Sequence, residues 1–185
     1  MAFKATKLIG ETFDQRGVNY RINDVDQFSD VEAGFKITGG PVVYVRFISN
    51  DDTNDVGVRV FGLFNAIPDE KRTVMLEACN QVMNDARFLR FCLNKKNDVN
   101  LEYDFVQSVP DEAIGPCCYE ILFKISAILD QQYPVLARAL YAEPQENKTK
   151  DLSEALKILQ EMQKNPITIE KEKQQNDTGL TEDKG

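Results

Sequence analysis

The stretch Val99-Asn-Leu-Glu-Tyr-Asp-Phe105 decides the fold class, because its apolar and polar residues alternate without a break. Alternation with a period of two places the apolar side chains on one face of a β-strand and the polar ones on the other. A strand with one packed face and one solvated face is typical of an antiparallel sheet. A polar turn at 95–98 joins this stretch to an earlier apolar run, so strands at 88–93 and 99–107 are predicted to form a hairpin.

Helices are predicted on both sides of this hairpin. Pro68-Asp-Glu70 begins the first helix, which runs to about residue 84. Proline suits the first helical position, and the two carboxylates suit the positive end of the helix dipole. The same sequence pattern recurs at Val109-Pro-Asp-Glu112, ahead of a second apolar helix over 116–132. Pro134 is expected to kink or break that helix.

The N-terminal part of the chain predicts one helix followed by several strands. Residues 2–16 carry an apolar side, and Gly17 stands where a left-handed C-terminal cap would end the helix. Extended segments follow at 18–22, 31–38, 42–48 and 56–64, the last with Gly62 as a candidate bulge. This order of elements predicts an α+β fold, with the helices packed mainly on one face of an antiparallel sheet.

The predicted strand at 42–48 is apolar on both of its faces, apart from one arginine. The two faces are formed by Val43, Val45 and Phe47 on one side and by Val42, Tyr44 and Ile48 on the other. Two interpretations remain open, because the strand is either central in the sheet or lies under a partner. Under the second interpretation, Val42, Tyr44 and Ile48 are candidate protein-binding residues.

Composition divides the chain into four parts. Residues 1–141 are predicted to form the α+β domain, 142–150 a polar linker, 151–164 an appended amphipathic helix and 165–185 a disordered tail. The appended helix presents a narrow apolar stripe, which would either fold back on the domain or pack on a second copy of the chain. Its candidate protein-binding residues are Leu152, Leu156 and Leu159.

The charge balance argues against nucleic acid and anionic membranes as partners. The chain has 185 residues, of which 30 are acidic and 22 basic, giving a formal net charge of -8. Nucleic acid and anionic lipid are bound by clusters of lysine and arginine. The sequence shows neither an apolar run of the secretory type at its N-terminus nor a stretch of about 20 apolar residues. We therefore expect a cytoplasmic protein.

The chain contains no histidine, which removes Ser-His-Asp and Cys-His catalysis and histidine-bound zinc. Its four cysteines are expected to remain reduced and to pack as small apolar residues. They are Cys79, Cys92, Cys117 and Cys118, and none falls in a CxxC spacing. The acidic loop at 50–55 lacks side-chain oxygens at two positions that a calcium loop needs, which favours a solvated turn. We therefore expect no catalytic residues, no metal and no cofactor.

Several segments resemble the YbjN family of bacterial sensory transduction regulators. They are Pro68-Asp-Glu70, Asn84-Asp-Ala-Arg-Phe-Leu-Arg-Phe91, Val99-Asn-Leu-Glu-Tyr-Asp-Phe105, Val109-Pro-Asp-Glu112 and Asp130-Gln-Gln-Tyr-Pro-Val-Leu136. The resemblance implies the fold of type III secretion chaperones, in which helices lie on one side of a curved antiparallel sheet and the molecule often dimerises. It brings no catalytic residues, and the parts after Ala142 depart from the family pattern.

These observations together predict a non-catalytic protein-binding module, chaperone-like or regulatory, that acts through its sheet and helix surfaces as a homodimer. One alternative is a dedicated secretion chaperone for an effector protein. Another is an enzyme that uses carboxylates or a lone cysteine.

Overall fold

The computed structural model describes residues 2–86, 88–104, 109–142 and 156–157. Three helices and six strands lie within a compact unit, Met1–Ala142. In chain order they are α1 Lys4–Arg16, β1 Tyr20–Val25, β2 Phe28–Lys36, β3 Val42–Ser49, β4 Gly57–Phe64, α2 Arg72–Asp85 (after a 3-10 turn, Asp69–Lys71), β5 Arg90–Leu93, β6 Val99–Asp104 and α3 Asp111–Tyr141. In the second unit, 143–185, the two described residues are helical and exposed.

The six strands form one curved antiparallel sheet in the order β1-β2-β3-β4-β6-β5. Every neighbouring pair is antiparallel, which confirms the fold class predicted from the alternating stretch. The predicted hairpin is β5 with β6, and its pairing runs from Arg90 opposite Glu102 to Leu93 opposite Val99. The last residues of the predicted second strand, 105–108, lie outside the described residues.

Gly17 ends α1 in the left-handed conformation, with φ 68°, as the sequence predicts. The backbone N–H of Val18 donates to the carbonyl of Phe13 at 2.9 Å, and that of Gly17 donates to Asp14 at 3.2 Å. Both bonds satisfy carbonyls that the end of a helix leaves without partners. The helix buries Ile9 and Phe13 completely, so its capped end lies next to the residues that pack against the sheet.

Of the two expectations for Pro134, a kink or a break, the break is wrong, because α3 runs as one helix from Asp111 to Tyr141. An internal proline costs about 3 kcal/mol through its missing N–H and its clash with the preceding turn. Leu129 and Leu136 are fully buried on either side of it, and burying one leucine contributes roughly 1.5–3 kcal/mol. Packing on both sides of the proline therefore offsets its cost, and the helix continues.

The helices cover one face of the sheet. Along β3 the residues alternate between buried Val43, Val45 and Phe47 and more exposed neighbours. Helix α1 packs on β1, β2 and β3, helix α2 packs on β5, and α3 packs on both other helices. The buried apolar residues therefore lie between this face and the helices, and the other face of the sheet is left open. Within the described ranges, no helix is both long enough and apolar enough to cross a membrane.

Candidate protein-binding surface

The face of the sheet opposite the helices, here called the open face, carries the candidate residues of β3. The strand is central in the sheet, as one of the two interpretations predicts, because β3 is third of six strands; one of its faces is uncovered. Val42 is 54% exposed and Tyr44 is 56% exposed, whereas Ile48 is half-buried. Among the candidates of the appended helix, Leu156 is exposed; Leu152 and Leu159 lie outside the described residues.

Phe61 belongs to the same surface, although sequence reasoning did not single it out. It is 53% exposed on β4, and its ring lies 5.6 Å from the guanidinium of Arg46, which is on the open face of β3. The period of two along the predicted strand at 56–64 places Phe61 on the same face as Arg59. The sequence therefore contained the pattern that places Phe61 on this face, but it did not show that the face is exposed. Val42, Tyr44 and Phe61 are here called the apolar patch.

A row of charged residues crosses all six strands of the open face next to the apolar patch. Strand pairing places one residue of each strand in the row, in the spatial order Arg21, Glu32, Arg46, Arg59, Glu102 and Arg90. Ion pairs join Arg21 to Glu32 at 2.8 Å, Glu32 to Arg46 at 3.9 Å and Arg90 to Glu102 at 2.5 Å, whereas Arg46 and Arg59 lie opposite each other as like charges. Residues directly opposite each other on paired strands are close enough for such contacts. We call this row the ionic ladder.

Arg46 is the centre of the ladder and forms an ion pair with the fully buried Asp30. Asn23 donates a second hydrogen bond to that carboxylate, from Nδ2 to Oδ1 at 2.9 Å. The guanidinium also lies over the rings of Phe28 and Phe61, at 5.7 and 5.6 Å. The hydrogen bond to Asp30 raises the pKa of Arg46 above its usual value. These contacts fix the arginine, and with it the edge of the apolar patch.

A groove opens where β3 and β4 separate. Their pairing is limited to residues 46–48 opposite 57–59, and the register of β4 with β6 shifts between Val60 and Phe64. Gly62 produces this bulge, as predicted, with φ 61°. A Cβ at this position would lie 2.3 Å from Oδ1 of Asn65, so glycine fits both the backbone angle and the space.

The groove has a volume of about 490 Å³ and is bordered by the whole apolar patch. Tyr133 of α3 also lines it, and its ring stacks on Phe64 at 4.9 Å with an angle of 12° between the planes. Burial raises the pKa of the Tyr133 hydroxyl. A volume of this size lies within the range of pockets that bind ligands or side chains.

Tyr44 separates this groove from a second one, of about 340 Å³, that contains Arg21 and Glu32 of the ladder. The ring of Tyr44 covers Gly34 on the neighbouring strand, where an added Cβ would lie 2.9 Å from the ring. An aromatic ring over a strand glycine shields backbone that would otherwise be exposed. The ring of Tyr44 therefore lies over Gly34, and Tyr44 lines the concave surfaces on both of its sides.

The thiols of Cys79, Cys92 and Cys118 show no sign of activation. Burial raises the pKa of Cys79 to about 11 and raises that of Cys118 further. Desolvation also raises the pKa of Cys92, which is half-buried at the edge of the sheet. A reactive cysteine needs a lowered pKa. In the part of the chain that the structure describes, no group of three or more cysteine or carboxylate side chains is placed to hold a metal ion.

A scan against protein-family models and a search of curated proteins both find no match to this chain.

Proposed function

We propose that this protein is a non-catalytic protein-binding module, chaperone-like or regulatory, whose docking surface is the open face of the sheet. One observation carries the proposal: three large apolar side chains of the patch stand about half exposed around one groove. Adjacent exposed apolar residues beside a polar border are typical of protein interaction sites. Isolated exposed apolar residues would carry no such meaning.

The chemistry of the open face supports binding in preference to catalysis. Each of its carboxylates lies against an arginine, as Asp30 does with Arg46 and Asp104 with Arg59 at 2.5 Å. A general acid or base must exchange a proton with its substrate, whereas these carboxylates are already engaged by arginines. With no histidine in the chain and with raised thiol pKa values, the residues of this face favour recognition.

The sequence pattern at the N-terminus and the resemblance to type III secretion chaperones each add one further part to the proposal. The protein acts in the cytoplasm, and its working form is a homodimer. Size-exclusion chromatography with light scattering tests the second part, with twice the mass of the 21.0 kDa chain as the expected result. A monomer at high concentration would remove the dimer from the proposal and leave the docking surface untouched.

Affinity capture with matched variants tests the docking surface. The full chain, its Phe61→Ser variant and its Phe123→Ser variant serve as baits, and captured proteins are quantified by mass spectrometry. Phe123 lies on α3 and is 54% exposed, almost the same as Phe61, so the two substitutions remove similar apolar area from different surfaces. Burying a phenylalanine contributes roughly 1.5–3 kcal/mol, so Phe61→Ser should weaken capture at least about tenfold.

The control fixes the interpretation of this experiment. Circular dichroism must first show that both variants are folded. Partners that Phe61→Ser loses and Phe123→Ser retains support the open face. Equal retention by both variants, or selective loss with Phe123→Ser, would place the docking surface elsewhere and end the proposal.

A further inference from the structure

In the apolar patch, backbone N–H and C=O groups face the groove, as the side chains do. The N–H of Ile37 donates to the carbonyl of Pro41 at 3.0 Å, so odd-numbered residues of β3 hydrogen-bond to β2 and even-numbered ones point toward β4. Val42 and Tyr44 therefore direct their amides and carbonyls to the side from which β4 has turned away. Among the described residues, no ladder joins these two positions to β4.

The opposite wall of the groove repeats this arrangement. Residues 57 and 59 of β4 pair with β3, so by the same alternation Phe61 directs its backbone toward β3. The amide of Gly62 is already used, because it donates to Oδ1 of Asn100 at 2.9 Å. Both walls thus combine an exposed apolar side chain with backbone groups that face the gap, which is the recognition chemistry of an extended peptide.

A lysine lies beside the apolar patch on the open face. Lys36 lies directly across from Val42 in the pairing of β2 with β3, and no hydrogen bond or ion pair of Lys36 occurs within the described residues. The nearest carboxylate of the ladder, Glu32, already pairs with Arg21 at 2.8 Å and lies 3.9 Å from Arg46. Lys36 lies on the far side of Val42 from the groove, so an acidic side chain that reaches across Val42 would meet a cation on this face.

We infer that the groove takes an extended segment of a partner protein in which apolar side chains alternate and an acidic residue stands beside them. The segment extends the sheet along residues 42–45 of β3, places an apolar side chain against Tyr44 and Phe61, and directs its carboxylate to Lys36. This inference rests on the proposed function, because it names the kind of partner that the open face binds. A second copy of the chain, a helix or a basic peptide are the rival occupants.

A phage-displayed library of random 12-residue peptides, panned on the immobilised full chain, is the probe. Enriched peptides are synthesised, and their affinity is measured by fluorescence anisotropy. We expect apolar residues at alternate positions with an adjacent aspartate or glutamate. Lys36→Glu should weaken binding about fivefold, since an exposed ion pair contributes about 0.2–1 kcal/mol and reversal replaces it with repulsion. Lys7→Glu, at an exposed position of α1, should leave affinity unchanged.

Amide hydrogen exchange measured by NMR adds a test that side-chain contacts alone would not satisfy. Bound peptide should slow exchange at Val42 and Tyr44, because strand addition gives their amides new acceptors. Val42→Ser, at a position that is 54% exposed, should retain the fold and lose affinity at least about threefold.

Each alternative result overturns the inference. Enriched peptides with apolar spacing of three and four residues would indicate a helical occupant, and lysine-rich peptides would reverse the charge argument. Unchanged exchange at both amides, or no enrichment, would also reject an extended segment. Dimers that Val42→Ser dissolves would identify a second copy as the occupant. In these cases the affinity-capture experiment still decides the proposed function independently, because it depends on Phe61 and not on the form of the partner.

Discussion

The two partners of the ion pair between Arg46 and Asp30 should have unequal effects on stability. Truncating the arginine should destabilise the protein more than truncating the aspartate. Asp30 is fully buried, whereas the Arg46 side chain keeps 26% of its exposure. Without Arg46 the carboxylate would keep one hydrogen bond, from Asn23. Without Asp30 the guanidinium would still lie 3.9 Å from Glu32 and would reach water.

The magnitudes follow from what each truncation leaves behind. A buried charge that loses its partner costs about 3–5 kcal/mol, so Arg46→Ala should lie in that range. Loss of one charge-assisted hydrogen bond with a solvated partner costs about 1.5–3 kcal/mol, so Asp30→Ala should cost less. Small proteins have a total stability of about 5–15 kcal/mol. Arg46→Ala therefore removes a large fraction of it.

Urea denaturation followed by circular dichroism measures both effects. With a slope of about 2 kcal/mol per molar urea, Arg46→Ala should lower the midpoint by about 2 M and Asp30→Ala by about 1 M. Arg90→Ala is the control, because the Arg90 side chain is 62% exposed and exposed pairs contribute about 0–1 kcal/mol. If Asp30→Ala proved as damaging as Arg46→Ala, or if Arg46→Ala behaved like the control, the assignment of Asp30 as a buried charge that depends on Arg46 would be refuted.

Three further outcomes test separate parts of the structure. Gly62→Ala should destabilise the protein by about 1–2 kcal/mol because of the positive φ, and by a further amount because the new Cβ would clash with a neighbouring asparagine. Gly17→Ala should cost only the part due to the positive φ, because nothing lies within 4 Å of its added Cβ. Equal urea midpoints for the two variants would contradict this. Hydrogen bonds from a backbone amide and an asparagine lower the pKa of Asp98. Its contribution to folding stability is therefore present above the unfolded pKa of about 3.9 and is lost as pH falls through the folded pKa. Asp98→Asn should make the stability of the protein less dependent on pH in the acid range. Cys79 and Cys118 should resist iodoacetamide at pH 8 until the chain is unfolded, because burial raises their pKa values; rapid labelling in the native state would revive the enzyme alternative.

Sequence alone predicts those parts of the fold that depend on one segment at a time. The period of two at 99–105 gives the antiparallel hairpin, and Gly17 gives the end of the first helix. Pro134 shows the limit of such local reasoning, because its neighbours Leu129 and Leu136 are held by contacts with distant residues. A local rule assigns the cost of the proline correctly but cannot count the burial that offsets it.

The candidate site was predictable only in part, for a related reason. The residues of 42–48 indicate which side chains share a face, but register between strands is needed to assemble the ionic ladder. Arg21 and Arg90 lie at opposite ends of that ladder, and no pattern in the sequence connects them. Gly62 was recognisable as a bulge, whereas its effect, the separation of β3 from β4, depends on how both strands pair with their other neighbours.

The ionic ladder also explains how a protein can leave the face of a central strand uncovered. An open apolar sheet surface tends to associate with any other such surface. Stripping water from paired arginines and glutamates costs free energy that only a complementary partner returns. The ladder borders Tyr44 and Phe61 on one side, so it confines favourable contact to the apolar patch and its groove. Neutralising Arg21 and Arg90 should therefore promote aggregation of the native protein more than it lowers stability, because both arginines lie on exposed strands at the two edges of the sheet. Light scattering of the folded double variant Arg21→Ala/Arg90→Ala, compared with its urea midpoint, would separate the two effects; a lowered midpoint without aggregation would mean that the ladder serves stability alone.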